Sequence, residues 1–283
     1  LLLAAERLGK NVQLVSLKRD LDDAYLARLS KTVEAEGIGG ARNSDLALAL
    51  SLGVLPFVQE WFSAAPEEAR KCAVVWGAAD LWYGSGIDPI PEFFFFGADP
   101  GRPEVDFKRD WEEYSKLLPT PPLDGDKVWG SYRLARNKNP IERMRLDLRR
   151  HLGLIANNRG VWLQDSRRNA EAFDMYELVL NEIDTDNVSA LFNEFELARS
   201  GEEHAAAKKK ALEARLTSIK DDKDRRYRLW ALNNYYGYIR SPEIFIRLGF
   251  NWARSGRPGE ALQQIRRAID FVPTDRRSSL MNM

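Results

Sequence analysis

The feature that most constrains the fold is a repeated tetrapeptide. ARSG occurs at 198–201 and again at 253–256, and in each copy an alanine follows five residues after the glycine, at Ala206 and Ala261. Glycine commonly ends a helix because it adopts the left-handed conformation at low cost. The alanine then places a small side chain in the next helix. The repetition therefore predicts two helices that stop at the same point and fold back into a second helix.

A longer pattern surrounds the second copy. Phe245 and Leu248 precede Gly249, and the pattern continues with Trp252, Gly256, Ala261, Ile265, Ala268 and Pro273. This spacing is similar to the tetratricopeptide repeat, a helix–turn–helix unit of about 34 residues. Small residues at 249 and 261 are expected where the two antiparallel helices approach most closely. Proline at 273 ends the second helix because it lacks the N–H that continues one.

Two further copies of the repeat are expected upstream. The first has the same offsets at Gly160, Leu163, Ala172, Tyr176 and Val179, and departs from the pattern at Arg159 and Thr185. The other spans 187–220 and has Glu194 where the first small glycine is usual. The remaining residues before Gly249, near 221–240, suit one additional long helix.

The resemblance implies a curved superhelix whose first helices line a concave groove that takes peptides or helices. On that geometry the candidate groove residues are Asn157, Val161, Gln164, Asn233, Tyr236, Arg240, Ile246, Phe250 and Arg254, with Asn234 and Tyr235 beside them. Packing in the core is the alternative reading for each of these residues.

The N-terminal hundred residues alternate between helix and strand patterns. Apolar or alternating runs at 11–17 (NVQLVSL), 72–76 (CAVVW) and 93–97 (FFFFG) predict strands, and helices are expected at 20–37 and 44–51. Helices between strands favour a small α/β unit with parallel-type strands.

The composition changes after this unit. Residues 98–126 are rich in Pro, Gly and Asp, one helix is expected at 106–118, and only helical patterns follow 139. We therefore expect an α/β unit (1–100), a linker with one helix (101–138) and an all-α tetratricopeptide-type array (139–283). The fold class is α+β overall.

Charge and cysteine content exclude several kinds of site. Lys+Arg and Asp+Glu both number 42, so no overall field attracts nucleic acid or an anionic membrane. The arginine-rich stretch 133–150 is interpreted as a solvated helix surface. A single cysteine, Cys72, rules out an internal disulfide and a multi-cysteine zinc site, and we expect a buried thiol there. Without an apolar run of about eighteen residues, we expect no membrane insertion by this chain.

No catalytic motif is recognisable in the chain. The two histidines, His151 and His204, lie in charged helical stretches and are expected to face solvent. Asp80, Tyr83 and Asp88 follow a predicted strand, where an open α/β sheet places ligands. Turn formation is the simpler interpretation of those residues. We expect no enzyme activity, metal or cofactor, and keep a small α/β enzyme around Asp80 as an alternative.

A second resemblance concerns residues 1–97. The stretches AERLGKNVQLVSL and ADLWYGSGIDPIPEFFFFG look like part of the soluble region of bacterial membrane proteins related to protein O-mannosyltransferases. That resemblance implies an upstream membrane domain and a periplasmic or other extracytoplasmic location; otherwise a cytoplasmic location is expected. The opening LLLAAERLG, which lacks an initiator Met, suggests a fragment of a longer protein.

Two functions follow as hypotheses. The first is a non-catalytic scaffold module that binds a protein or peptide in the groove of the repeats. The alternative is an extracytoplasmic accessory domain of a membrane glycosyltransferase-like protein.

Overall fold

The computed structural model describes residues 23–36, 48–52, 54–75, 89–99, 101, 104–118, 140–200, 207–221, 236–254, 256–269 and 271. Most of these residues are helical, and together with a small sheet they give an α+β fold. The helices are α1 (Asp23–Glu36), α2 (Val54–Ala64), α3 (Pro66–Ala69), α4 (Phe107–Tyr114), α5 (Pro140–Asp165), α6 (Asn169–Leu178), α7 (Val188–Arg199), α8 (Lys209–Asp221), α9 (Pro242–Arg254) and α10 (Pro258–Ile269). A 3-10 turn (Ser115–Leu117) follows α4, and a π-helical turn (Val179–Ile183) follows α6.

Local sequence explains where most of these helices begin. Proline occupies the first position of α3, α5, α9 and α10, where its missing N–H has no helical partner to lose. Side-chain caps start two others. Asp106 accepts a hydrogen bond from the Arg109 N–H at 3.1 Å, and Asn187 accepts one from the Ala190 N–H at 2.9 Å.

The sheet has three short strands, β1 (Val74–Val75), β2 (Ile90–Pro91) and β3 (Phe95–Gly97), in the order β1-β3-β2. Both pairings are antiparallel, with Val74 opposite Phe96 and Ile90 opposite Gly97. The expectation of parallel-type strands is therefore wrong for these residues. Only residues 92–94 separate β2 from β3, whereas a parallel pair needs a crossover of about a dozen residues.

The structure confirms several of the other N-terminal predictions, and some of them lie outside the described residues. The helices expected at 20–37 and 106–118 are confirmed as α1 and as α4 with its 3-10 turn, and residues 48–51 are helical. The strands expected in 72–76 and 93–97 are confirmed in part as β1 and β3. The strand expected at 11–17 and the candidates Asp80, Tyr83 and Asp88 lie outside the described residues. The sequence reading missed both α2 and β2.

Glycines lie at the close contacts within two helix pairs. A Cβ on Gly160 of α5 would lie 2.8 Å from Cδ1 of Tyr176 on α6. On Gly249 of α9 it would lie 2.8 Å from Cδ1 of Ile265 on α10. Gly256, between α9 and α10, has φ 73°, the left-handed conformation expected of it. Both pairs therefore have the small-residue contacts that the repeat pattern predicts.

One core joins the N-terminal elements to the long helices. Its buried residues include Phe57, Phe96 and Trp111 together with Leu152 and Ile155. A polar contact also joins the N-terminal elements to the helices that follow: the Trp111 indole N–H donates to the Glu182 carboxylate at 3.0 Å. The division at 100 and 138 stays a prediction. Within the described residues, no helix is both long enough and apolar enough to span a bilayer.

Two side chains that were expected at the surface lie inside. His151 is 9% exposed, and its Nε2 lies 3.1 Å from the Phe94 carbonyl oxygen. Burial lowers the pKa of His151. Arg149 is buried as well, and its guanidinium donates to the carbonyls of Leu118, Glu182 and Ile183. Charge in the sequence did not indicate a solvated face here, because backbone carbonyls at the ends of helical turns and beside β3 supply these side chains with partners.

Candidate functional site

Three asparagines on two helices form a buried polar cluster. Asn157 and Asn158 lie on α5 and Asn193 lies on α7, with exposures of 0%, 6% and 0%. The Asn193 amide donates to the Asn157 side-chain oxygen at 2.9 Å, and the Asn157 amide donates to that of Asn158 at 3.3 Å. We call these three residues the asparagine clamp. Their mutual bonds fix the orientation of each amide.

The asparagine clamp holds the main chain of residues 237–241, which we call the clamped segment. The Tyr238 carbonyl accepts hydrogen bonds from Asn157 at 2.9 Å and from Asn193 at 2.8 Å. The Tyr238 N–H donates to Asn158 at 2.7 Å, and the Arg240 N–H donates to Asn193 at 2.6 Å. Three backbone groups that helix or sheet would otherwise satisfy are thus bound by side chains.

The prediction of one long helix near 221–240 is wrong at its C-terminal end, because residues 237–240 of the clamped segment are neither helix nor strand; residues 222–235 lie outside the described residues. Gly237 has φ 88°, a conformation that favours glycine. A Cβ at this position would lie 2.6 Å from Asn157 Nδ2 and 2.9 Å from the Leu154 carbonyl oxygen. The site therefore requires glycine on both conformational and steric grounds.

Charged and apolar contacts hold the side chains of the clamped segment. The Arg240 Nε donates to Asp165, the last residue of α5, at 2.7 Å, and its guanidinium lies 4.2 Å from the Phe271 ring centroid. Ile239 is 3% exposed and packs in a small cluster with Val188 and Tyr236. The segment is therefore held through backbone, charge and apolar surface together.

The predicted groove residues occupy different environments. Asn157 and Arg240 meet at the clamped segment, and Tyr236 lies directly before it. Val161 is in the core at 1% exposure, and buried Gln164 accepts a hydrogen bond from the Tyr176 hydroxyl at 2.6 Å.

Of the remaining candidates, three lie on α9 and one lies outside the described residues. Phe250 is 55% exposed, Arg254 is exposed and Ile246 is half-buried. None of these three is in the asparagine clamp. Asn233, together with Asn234 and Tyr235, lies outside the described residues.

Sequence reasoning missed Asn158, Asn193 and Gly237. A signal was present, because asparagine is unfavourable inside a helix unless its side chain finds a hydrogen-bond partner. Asn157 and Asn158 follow the apolar run Leu154, Ile155 and Ala156 along α5. Polar amides in such a position indicate a buried network.

A separate open groove of about 680 Å³ lies between residues 104–108 and α6. Four of its charged residues pair with one another: Glu104 binds both Arg159 and Arg168, and Arg168 also binds Glu171. Arg159 lies 4.3 Å from the Trp162 ring centroid. Because these four charged groups already have partners, we rank this groove below the asparagine clamp as a binding candidate.

Comparison with protein-family models, with curated proteins and with solved structures found no match to this chain. Both resemblances stated from the sequence therefore stay predictions.

Proposed function

We propose that this chain is a non-catalytic module that binds protein or peptide segments in a groove formed by tetratricopeptide-type helix pairs. The observation that carries the proposal is the asparagine clamp. Helices α5 and α7 present side-chain amides that bind the main chain of a segment that is neither helix nor strand. A surface of this kind suits the backbone of a peptide.

The chemistry of the asparagine clamp fits binding better than catalysis. Side-chain amides donate and accept hydrogen bonds but do not ionise near neutral pH, so they do not act as general acids or bases. Main-chain recognition of this kind gives affinity, while neighbouring side-chain contacts give specificity. Asp165 and Val188 supply such contacts on the same two helices.

Selection from a displayed library of random twelve-residue peptides against the purified chain tests this function. We expect enriched peptides that bind the chain in solution and lose binding in the Asn157→Leu and Asn193→Leu variants. Leucine has the branched shape of asparagine, with a somewhat larger volume, but no hydrogen-bonding group.

Asn181→Leu is the matched control, because Asn181 is exposed and lies outside the asparagine clamp. Circular dichroism establishes that each variant is folded. A folded wild-type chain that enriches no peptide would contradict the proposal, and so would binding that the two clamp substitutions leave unchanged.

A further inference from the structure

The contacts of the clamped segment specify the kind of segment that the asparagine clamp accepts. The N–H and C=O of Tyr238 and the N–H of Arg240 are all bound by the clamp. The Ser241 N–H donates to the Ile239 carbonyl at 3.0 Å, so the backbone turns at Arg240. The clamp therefore accepts an irregular backbone that turns in this way and has no proline at these two positions, since proline has no N–H to donate.

Side-chain requirements follow from the same contacts. The residue that precedes the one with the bound carbonyl, Gly237 in the chain itself, must be glycine. A Cβ at this position would meet Asn157 and the Leu154 carbonyl. The next residue is aromatic here, and the Arg267 guanidinium lies 4.9 Å from the Tyr238 ring centroid. An aliphatic side chain follows beside Val188.

An arginine completes the pattern. Arg240 is bound by Asp165, whose carboxylate is 38% exposed and also lies 3.4 Å from Arg267. Because Asp165 belongs to α5, this carboxylate would remain beside the asparagine clamp if the segment left. The receptor surface on α5 and α7 thus carries its own charge for an incoming arginine.

We propose that the asparagine clamp is a receptor for Gly–aromatic–aliphatic–Arg segments of a partner protein, and that residues 237–240 are an internal competitor for the same site. This inference rests on the proposed peptide-binding function and names its ligand class. The internal segment fills the receptor, so an external segment binds with an affinity reduced by the fraction of time that the receptor is filled.

The probe is a fluorescein-labelled peptide with the sequence of residues 235–241, YYGYIRS. Its binding to the full chain is measured by fluorescence anisotropy. We expect weak binding to the wild type and about tenfold tighter binding to Gly237→Ala, because the added Cβ expels the internal segment and frees the receptor. A control peptide, YYAYIRS, should bind neither chain.

A folded Gly237→Ala chain that does not bind the probe more tightly than the wild type overturns the inference. Equal binding of the two peptides also overturns it, because the receptor would then not require glycine. The Arg240→Ala variant should release the internal segment from the asparagine clamp less completely, since it removes the side-chain contacts to Asp165 and Phe271. We expect tighter probe binding there too, by a smaller factor.

A measurement on the wild type avoids the risk that a variant fails to fold. In excess probe, hydrogen exchange of the chain's own residues 236–241 should accelerate as the internal segment is displaced. Unchanged exchange at saturating probe would show that the asparagine clamp serves only to hold its own chain.

The outcomes separate this inference from the proposed function. Library peptides that need Asn157 and Asn193 but lack the Gly–aromatic–aliphatic–Arg pattern would leave the function standing and overturn the ligand class. A chain that binds no peptide at all would overturn both.

Discussion

Glu194 illustrates how one residue departs from the repeat pattern. In the predicted repeat pattern it stands at the position of Gly160 and Gly249, and it is 0% exposed on α7. Burial raises its pKa to about 8, with a further contribution from the neighbouring Glu177 carboxylate. Glu177 in turn binds Lys208. Among the described residues neither Glu194 carboxyl oxygen has a hydrogen-bond partner, so burial favours the neutral, protonated form.

The stability of the chain should therefore depend on the protonation of Glu194. Its folded pKa of about 8 exceeds the ordinary value of 4.5, so its contribution is complete below about pH 4.5 and is lost as the pH rises to about 8. We expect Glu194→Gln to match the wild type best below about pH 4.5, where Glu194 is protonated in both the folded and the unfolded chain. Between pH 6 and pH 8 the variant's free energy of unfolding should rise by about 2 kcal/mol relative to that of the wild type, since each pKa unit corresponds to about 1.4 kcal/mol.

Urea unfolding at pH 6 and pH 8 measures this difference. Glu213→Gln on α8 is the control, because Glu213 is exposed. A Glu194→Gln variant with the same pH dependence as the wild type would show that Glu194 is already ionised in the folded chain.

At the scale of elements, the spacing of the helix pairs depends on glycine. Gly249 lets α9 approach α10, and a Cβ there would lie 2.8 Å from Ile265 Cδ1 and 3.2 Å from the Ala261 carbonyl oxygen. The Ile265 side chain has some freedom to move, but the Ala261 backbone does not.

We expect Gly249→Leu to lower the free energy of unfolding by about 1–3 kcal/mol because it overpacks this contact. Overpacking should exceed the gain in helix propensity from replacing glycine, about 0.8 kcal/mol. Ala253→Leu, at an exposed position of the same helix, should change the stability little. Thermal and urea melts of both variants test the contact, and an unchanged melt for Gly249→Leu would argue against close packing of α9 and α10.

The same scale shows where sequence patterns mislead. The runs in 72–76 and 93–97 predicted strands because they are apolar and short, and strands do form in both. Strand direction is not a property of either run. It depends on the connection, and the short link from β2 to β3 imposes the antiparallel pairing.

At the scale of the whole molecule, Arg149 links the N-terminal elements to the helical half. Its guanidinium donates to the carbonyl of Leu118, after α4, at 2.6 Å, and to the carbonyls of Glu182 and Ile183 at the end of α6's π-helical turn. It also lies 5.1 Å from the Trp111 ring centroid. One buried side chain therefore satisfies carbonyls from two distant parts of the chain.

We expect Arg149→Met to destabilise the chain by about 3 kcal/mol, because three buried carbonyls lose their partner while the side-chain length is kept. Arg145→Met, at an exposed position of the same helix, is the control. Hydrogen exchange should show α4 and α6 losing protection together. Loss in α6 alone would mean that the two parts unfold independently.

The sequence by itself determined the local features of this protein. Proline and side-chain caps start its helices, and Gly160, Gly249 and Gly256 mark close contacts and a turn, because each of these depends on a residue and its near neighbours. Only the tertiary structure decided that Asn157, Asn158 and Asn193 meet residues 237–241, that the strands pair antiparallel, and that His151 and Arg149 are buried. Those outcomes depend on which polar groups, distant in sequence, need a hydrogen-bond partner once the core has formed. The spacing of residues along the chain does not indicate which groups these are.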